Sequence, residues 1–377
     1  MKRKHILFII INLGLSGAVK ALVNLINHLG TEKYAISIMT HEQESAYCRE
    51  INRPVNYLSV ARPKDMFFGK KSQYGQSQFM TCFDSGFVKA AYALSHYDVL
   101  FLFRDSAYIK LLPDAKGNNV SVLRLSTDYL NNPVAWTFID SNVYVGMHKH
   151  CYKKICNIIS GSSQASSSFS AVTGIYDNVS VVNNIFDKQR IIELSNVHIN
   201  ISKSHFVIGS VGRLAPLKGH SRLIDVCYKL KSEGFSFELW LIGTGSEEGI
   251  LVSKAKEYNL DNVKFLGLQE NPYKFMSHFD LYVNPAFIEG SPNAPCEAVI
   301  LGIPCVVTDH CGARDIFGDS KYGMVVANTE DGLYNGVKQM LSNKELYWHY
   351  KVMTKKKQTF FDSARSIEQY EALFIVK

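Results

Sequence analysis

The strongest constraint on this chain is an alternation, carried through both halves, of short apolar runs with longer amphipathic stretches. In the first half, Ile6–Ile11, Ala35–Met39, Val99–Phe103, Val120–Leu125, Ile155–Ile159 and Val179–Val182 are β-branched or aromatic and nearly continuously apolar. That is the pattern of parallel strands covered on both faces. The second half repeats it with His205–Val211, Phe237–Ile242, Val263–Leu266, Leu281–Val283, Cys305–Thr308 and Met324–Val326. Helical spacing falls between them, as at Leu223, Ile224, Cys227 and Leu230, or at Leu251, Ala255 and Tyr258. The serine-rich stretch Ser160–Ser170 reads as a strand end followed by a Ser-capped helix, because Ala165, Phe169 and Val172 share one helix face. The expected class is α/β, two parallel-sheet domains facing a cleft.

With 377 residues the chain exceeds what one core usually organises. The boundary is expected near Asn183-Asn184, which gives one domain over 1–184 and a second over 185–357. Ile367, Tyr370, Leu373 and Phe374 place a terminal amphipathic helix in 358–377 that must bury its face, for instance back on the first domain. The start, Met1-Lys2-Arg3-Lys4 followed by apolar His5–Leu15, imitates a signal peptide. Ala18, Val19, Leu22, Leu25, Ile26 and Leu29 then continue as an amphipathic helix, so strand, glycine turn and helix is the preferred reading. No stretch is long enough for a transmembrane helix.

The net charge of +7 lies wholly in the first half, where residues 1–184 hold 19 Lys and Arg against 12 Asp and Glu. Basic–aromatic stretches run from Arg62 to Lys71 and from His148 to Lys154, and Lys355–Lys357 adds to them. Docking on an anionic membrane surface is expected, with an ordinary solvated surface as the other reading. No nucleic-acid motif is present. The eight cysteines form no C-x-x-C pair and no histidine–cysteine cluster with zinc spacing, so reduced, buried thiols and no metal are expected. Gly243-Thr-Gly245 resembles a dinucleotide fingerprint, but its third glycine is misplaced and it lies mid-chain.

In open α/β sheets ligands sit beyond the carboxyl ends of the strands. After His205–Val211 come Gly212, Arg213 and Lys218-Gly219: a glycine turn with two cations, either an anion clamp or solvated charge. After Leu281–Val283 comes a loop with Glu289, then Asn293 as an expected N-cap, Pro295, and Glu297 just inside a helix. The helix N-terminus favours an anion. Carboxylates on either side accept hydrogen bonds from hydroxyl-rich groups. An anion flanked by two polyols describes a nucleotide-sugar.

The second half resembles the donor domain of the GT-B glycosyltransferases, specifically the retaining family 4 or group 1 type that includes bacterial surface-polysaccharide enzymes. The matching text is Val211-Gly-Arg-Leu-Ala-Pro-Leu-Lys-Gly-His220, Leu241-Ile-Gly-Thr-Gly245, Val263–Gly267, Asn271-Pro-Tyr273, Glu289–Glu297, Gly302–Asp309 and Gly312–Asp315. The first half is similar more loosely, through Gly14–Ala18 and Val181–Asp187. The resemblance implies two Rossmann-like domains and transfer from a nucleotide diphosphate-sugar, UDP-linked, to a glycan or lipid-linked acceptor. It implies retention, no metal or other cofactor, and a place at the cytoplasmic face of the membrane. It implies catalytic roles for Glu289, Arg213 and Lys218. Donor contacts follow for Gly17, Gly212, Gly267, Leu268, Ser291, Asn293, Ala294 and Glu297. The absence of any Asp-x-Asp pair agrees with cations in place of Mg²⁺. Departures lie on the acceptor side, where Ser126 stands at the position of a common His, two residues before Asp128. Ser16 and Val19 likewise replace a common Gly and Glu. These departures keep open a non-catalytic partner subunit, and the shared fold keeps open a sugar-nucleotide epimerase.

Overall fold

The computed structural model describes residues 2–10, 13–14, 16–40, 46–59, 94, 96–103, 109, 112, 119–125, 128–130 and 149–375. The chain divides into two units, Met1–Ile185 with Ser363–Lys377, and Phe186–Asp362.

In unit 1 the strands are β1 (Lys4–Ile9), β2 (Tyr34–Thr40), β3 (Asn56–Ser59), β4 (Val99–Phe103), β5 (Val120–Arg124), β6 (Asn157–Ser160) and β7 (Val179–Val181). They form one sheet in the order β3-β2-β1-β4-β5-β6-β7, every pair parallel. The continuous apolarity of β1 has a direct cause. Ile6 and Phe8 enter the core on one face, and Leu7 and Ile9 the core on the other. Helix Gly17–His28 covers the first face with Val19, Leu22 and Ile26. Ser16 caps this helix by accepting the Val19 N–H at 3.3 Å, and Val19 is buried. The two departures at the glycine turn are therefore a helix cap and a core residue. Ser162 caps helix Ser163–Thr173 in the same way, as the serine-rich stretch led us to expect.

The C-terminal helix Ser363–Ala372 belongs to unit 1. Tyr370 and Phe374 are buried against Phe101, with ring centroids 6.2 and 6.3 Å away. The Lys4 ammonium donates to the Phe374 carbonyl at 2.8 Å, and the Asn157 amide to that of Leu373 at 3.0 Å. Strand β3 has no counterpart in the sequence reading. It is a four-residue edge strand with Tyr57 and Leu58 partly exposed, so it lacks the buried apolar run of its neighbours.

In unit 2 the strands are β8 (Phe206–Val211), β9 (Phe237–Ile242), β10 (Val263–Phe265), β11 (Leu281–Asn284), β12 (Cys305–Thr308) and β13 (Met324–Val326). Their order is β10-β9-β8-β11-β12-β13, again all parallel. Leu239 and Leu241 face one core cluster, and Trp240 and Ile242 the other. The helix faces read from the sequence are the buried ones: Leu223, Ile224, Cys227 and Leu230 in helix His220–Ser232, and Leu251 and Ala255 in helix Glu248–Glu257. Helix Asn293–Ile300 corrects one detail. Its cap is Pro292, without a side-chain bond, and Asn293 is its first residue. Cys227, Cys296 and Cys305 are buried, and burial pushes their thiols up.

Gly209, within β8, lies against Phe279, whose ring occupies the space a Cβ would take. Gly209→Ala should therefore destabilise by about 1–3 kcal/mol through overpacking. Phe279→Leu in the same chain should recover part of that loss. Urea unfolding of the single and double variants checks this, and simple additivity of the two losses would contradict it.

Candidate functional site

The strand order of unit 2 defines where a ligand belongs. From β8 the chain winds outward through β9 and β10, then returns to β11 on the other side of β8 and winds the opposite way. Adjacent parallel strands whose connections diverge leave a crevice beyond their carboxyl ends. The loops 212–219 and 285–292, which follow β8 and β11, meet there.

Lys218 Nζ lies 2.5 Å from Glu289 Oε1, so the cation after β8 and the carboxylate after β11 form an ion pair across the switch point. Both side chains are only partly exposed. Arg213 occupies the same turn, is exposed, and makes no ion pair among the described residues. The sequence set Arg213 and Lys218 together as a clamp. The structure gives Lys218 to Glu289 and leaves the Arg213 guanidinium in solvent.

Glu297 is buried in helix Asn293–Ile300 and accepts a hydrogen bond from the Tyr273 hydroxyl at 3.2 Å. Asn271 holds that tyrosine's turn, accepting the Tyr273 N–H at 3.1 Å and donating to the Leu194 carbonyl at 2.9 Å. The Asn-Pro-Tyr motif thus orients a carboxylate, a role its sequence alone did not disclose.

The two glycines of the apparent dinucleotide fingerprint have a packing role. A Cβ at Gly243 would meet the Gly212 carbonyl, and one at Gly245 the Leu214 carbonyl, so glycine lets the loop after β9 lie on the loop after β8. The Gly243 N–H in turn donates to the Gly267 carbonyl at 2.8 Å. Gly212, Gly243 and Gly267 therefore form one continuous rim, with Leu268 exposed beyond it. Ser291, Asn293 and Ala294 lie at the start of helix Asn293–Ile300, beside the Glu289 loop.

Two buried histidines flank the Lys218–Glu289 pair. Burial, reinforced by the Lys218 ammonium, pushes His220 down to about 4, against an opposing pull from Glu289. His310 follows β12. Burial lowers it too, with Glu289 pulling it back up ahead of its bond to the Cys311 carbonyl, 3.0 Å from Nδ1. Both are neutral at pH 7. Neither was a candidate site residue in the sequence: His220 entered only as the last residue of the Val211–His220 motif, and His310 is a lone histidine after a strand, which carries no signature.

Of the candidates in unit 1, the donor-contact candidate Gly17 opens helix Gly17–His28, and the acceptor-side candidate Asp128 is buried, accepting the Leu130 N–H at 3.0 Å. Ser126 lies outside the described residues, as do residues 62–71 and His148. Of the second basic stretch, Lys149, His150, Lys153 and Lys154 are exposed, while Cys151 and Tyr152 are buried. Lys357 turns inward over the Tyr322 and Phe360 rings, whereas Lys355 and Lys356 are exposed. Among the described residues no group of three His, Cys, Asp or Glu could hold a metal ion, and no helix is long and apolar enough to cross a membrane.

Residues 192–357 match the family model described as glycosyl transferases group 1. Over 166 residues the chain is 34% identical to the N-acetylgalactosamine-N,N'-diacetylbacillosaminyl-diphospho-undecaprenol 4-alpha-N-acetylgalactosaminyltransferase of Campylobacter jejuni, covering 43% of this chain and 44% of that one. It is 28% identical over 145 residues to the capsular polysaccharide biosynthesis glycosyltransferase CapM of Staphylococcus aureus, 36% of either chain. The chain spans less than half the length of these two curated relatives. Among solved structures, HepE of Anabaena with UDP and glucose matches at a TM-score of 0.75 and 16% identity over 98% of this chain and 99% of that one. Sucrose-phosphate synthase of Thermosynechococcus elongatus matches at 0.76 and 15% over 99% and 98%. The fold is therefore two Rossmann-like parallel-sheet domains of the GT-B type, and the second carries a glycosyltransferase-family domain.

The histidines give a pH test. Unfolded, His220 titrates near 6.5, so between pH 6.5 and about 4 the unfolded chain binds a proton that the folded chain does not. Stability should fall as the pH drops through that window and level off below it, His220 accounting for about 3 kcal/mol. Urea unfolding at pH 7, 5.5 and 4.5 reads the slope. His220→Gln should flatten it, and an unchanged slope would show that His220 is not the group responsible.

Proposed function

We propose that this chain is a glycosyltransferase whose second unit binds a nucleotide diphosphate-sugar, UDP-linked, and that it acts in bacterial surface-polysaccharide assembly. The observation that carries the reading is the Lys218–Glu289 pair across the β8/β11 switch point of a domain matching the group 1 family model. In the reaction the bond between the anomeric carbon and the diphosphate oxygen breaks, and its electron pair stays on the diphosphate. An acceptor hydroxyl forms the new bond, and its proton passes to the departing diphosphate oxygen. Lys218 and Arg213 would neutralise the charge growing on the diphosphate, a preorganised stabilisation worth most where water is excluded. Glu289 would exchange its ammonium partner for hydroxyls of the transferred sugar. Glu297, oriented by Tyr273, would hold the ribose. Gly267 and Leu268 would border the base, and backbone groups at Ser291, Asn293 and Ala294 would meet sugar and phosphate.

UDP is favoured because HepE was solved with it, and a lipid-linked acceptor because the Campylobacter relative is named for one. The basic first half supports action at an anionic membrane face. Retention of configuration and independence from metal belong to the same reading, as do a donor-phosphate contact at Gly17 and acceptor contacts near Ser126 and Asp128.

Calorimetry with UDP in EDTA, against GDP, ADP and CMP, is expected to show selective UDP binding. Arg213→Ala and Glu289→Gln should each lower transfer by at least about a hundredfold. Both should keep the thermal midpoint within a few degrees, since one side chain is exposed and the other sits in a loop. Near-normal turnover in either variant would refute its assigned role.

A further inference from the structure

The ion pair at the switch point is built from two loops that meet at the Pro285 carbonyl, and one buried side chain holds that atom. Arg222, in the first turn of helix His220–Ser232, is 6% exposed. Its Nε donates to the Pro285 carbonyl at 2.7 Å, and one terminal nitrogen donates to the same oxygen at 2.5 Å. That nitrogen also reaches Asn328 Oδ1 at 2.8 Å and Thr308 Oγ1 at 3.4 Å. The guanidinium plane stacks on the Phe287 ring, 3.8 Å from its centroid.

The surrounding bonds extend the hold to the whole base of the 285–292 loop. Asn328 Nδ2 donates to the Phe287 carbonyl at 2.8 Å. The Thr308 hydroxyl donates to the Ala286 carbonyl at 2.6 Å, and the Ala286 N–H donates to Asn284 Oδ1 at 2.9 Å. The Phe287 N–H donates to the Leu217 carbonyl at 2.9 Å, directly before Lys218. On the other side, Gly219 has φ +68° and no room for a Cβ, because the Pro285 carbonyl already fills that space. Lys218 therefore stands one residue from a glycine pressed on Pro285, and Glu289 four residues beyond the same proline.

We propose that Arg222 is a positioning residue for transfer: by holding the Pro285 carbonyl it sets Glu289 against Lys218, and so aligns the sugar with its leaving diphosphate. This inference rests on the donor-site reading above. A planar fork that binds two ways and stacks has no substitute in an ammonium group. Arg222→Lys keeps the charge but loses the second bond and the stacking surface. Misplacement by about 1 Å far from the reacting atoms can cost on the order of a hundredfold in rate.

The test measures UDP release from UDP-glucose, UDP-galactose and their N-acetylated counterparts, with water as acceptor where no other is supplied, and UDP binding by calorimetry. Arg222→Lys is expected to lower kcat by about tenfold to a hundredfold, with KM for the donor and Kd for UDP within about threefold of wild type. Asn328→Ala, which removes the second anchor from a partly exposed site, should lower kcat in the same direction by less. Guanidinium ion should restore part of the rate to Arg222→Ala. Unchanged kcat in folded Arg222→Lys would overturn the proposal, as would a rise in KM that accounts for the whole loss. If Arg222→Lys fails to fold, unchanged kcat in Asn328→Ala overturns it alone. A wild-type chain that neither binds UDP nor consumes a UDP-sugar would sink the donor-site reading, and the positioning role with it.

Discussion

Much of what sets unit 2 apart depends on one arrangement. β8 and β11 run side by side and parallel, while the chain leaves their carboxyl ends in opposite directions. Strands buried on both faces have no solvent-facing side chains to offer, so chemistry is confined to their ends. The divergence of the two connections keeps a helix from covering the gap. Lys218 and Glu289, 71 residues apart in sequence, meet because each is on the first loop beyond one of these strands.

Such a site needs loops that do not drift, and the surrounding residues supply that stiffness in three ways. Glycines allow backbone to lie on backbone, as Gly219 does on Pro285 and Gly243 on Gly212. Buried side chains satisfy the carbonyls left over, as Arg222 does for Pro285 and Thr308 for Ala286. Tyr273 fixes a carboxylate from outside its own helix. The buried histidines fit the same logic. Desolvation beside an existing ammonium makes a second positive charge costly, so the pair works beside neutral rings.

Unit 1 has the same type of sheet with different emphasis at its turns. Where the resemblance would place Gly and Glu at the first turn, this chain has Ser16 capping a helix and Val19 inside the core. The acidic position has been given over to packing. The C-terminal segment, separated from the rest of this unit by the whole of unit 2 in sequence, completes its core through Tyr370 of helix Ser363–Ala372 and Phe374 just after it.

The class of fold and the elements around the candidate site were legible in the sequence, because two-faced burial leaves continuous apolar runs and helices leave their spacing. The sequence also marked Arg213, Lys218 and Glu289 as candidates, since charged residues in the loops that follow strands stand out by local pattern, and Glu297 in the first turns of the helix after the second loop. It missed β3, whose edge position leaves it partly exposed and without an apolar run, and it put the helix cap at Asn293 instead of Pro292. The pairings came from the packing of the unit: that Lys218 meets Glu289, that Tyr273 serves Glu297, and that Arg222 anchors Pro285. These are contacts between residues 24 to 71 positions apart, and no local periodicity encodes which loops a parallel sheet will bring side by side. Strand order does that, and strand order is settled by the packing of the whole unit.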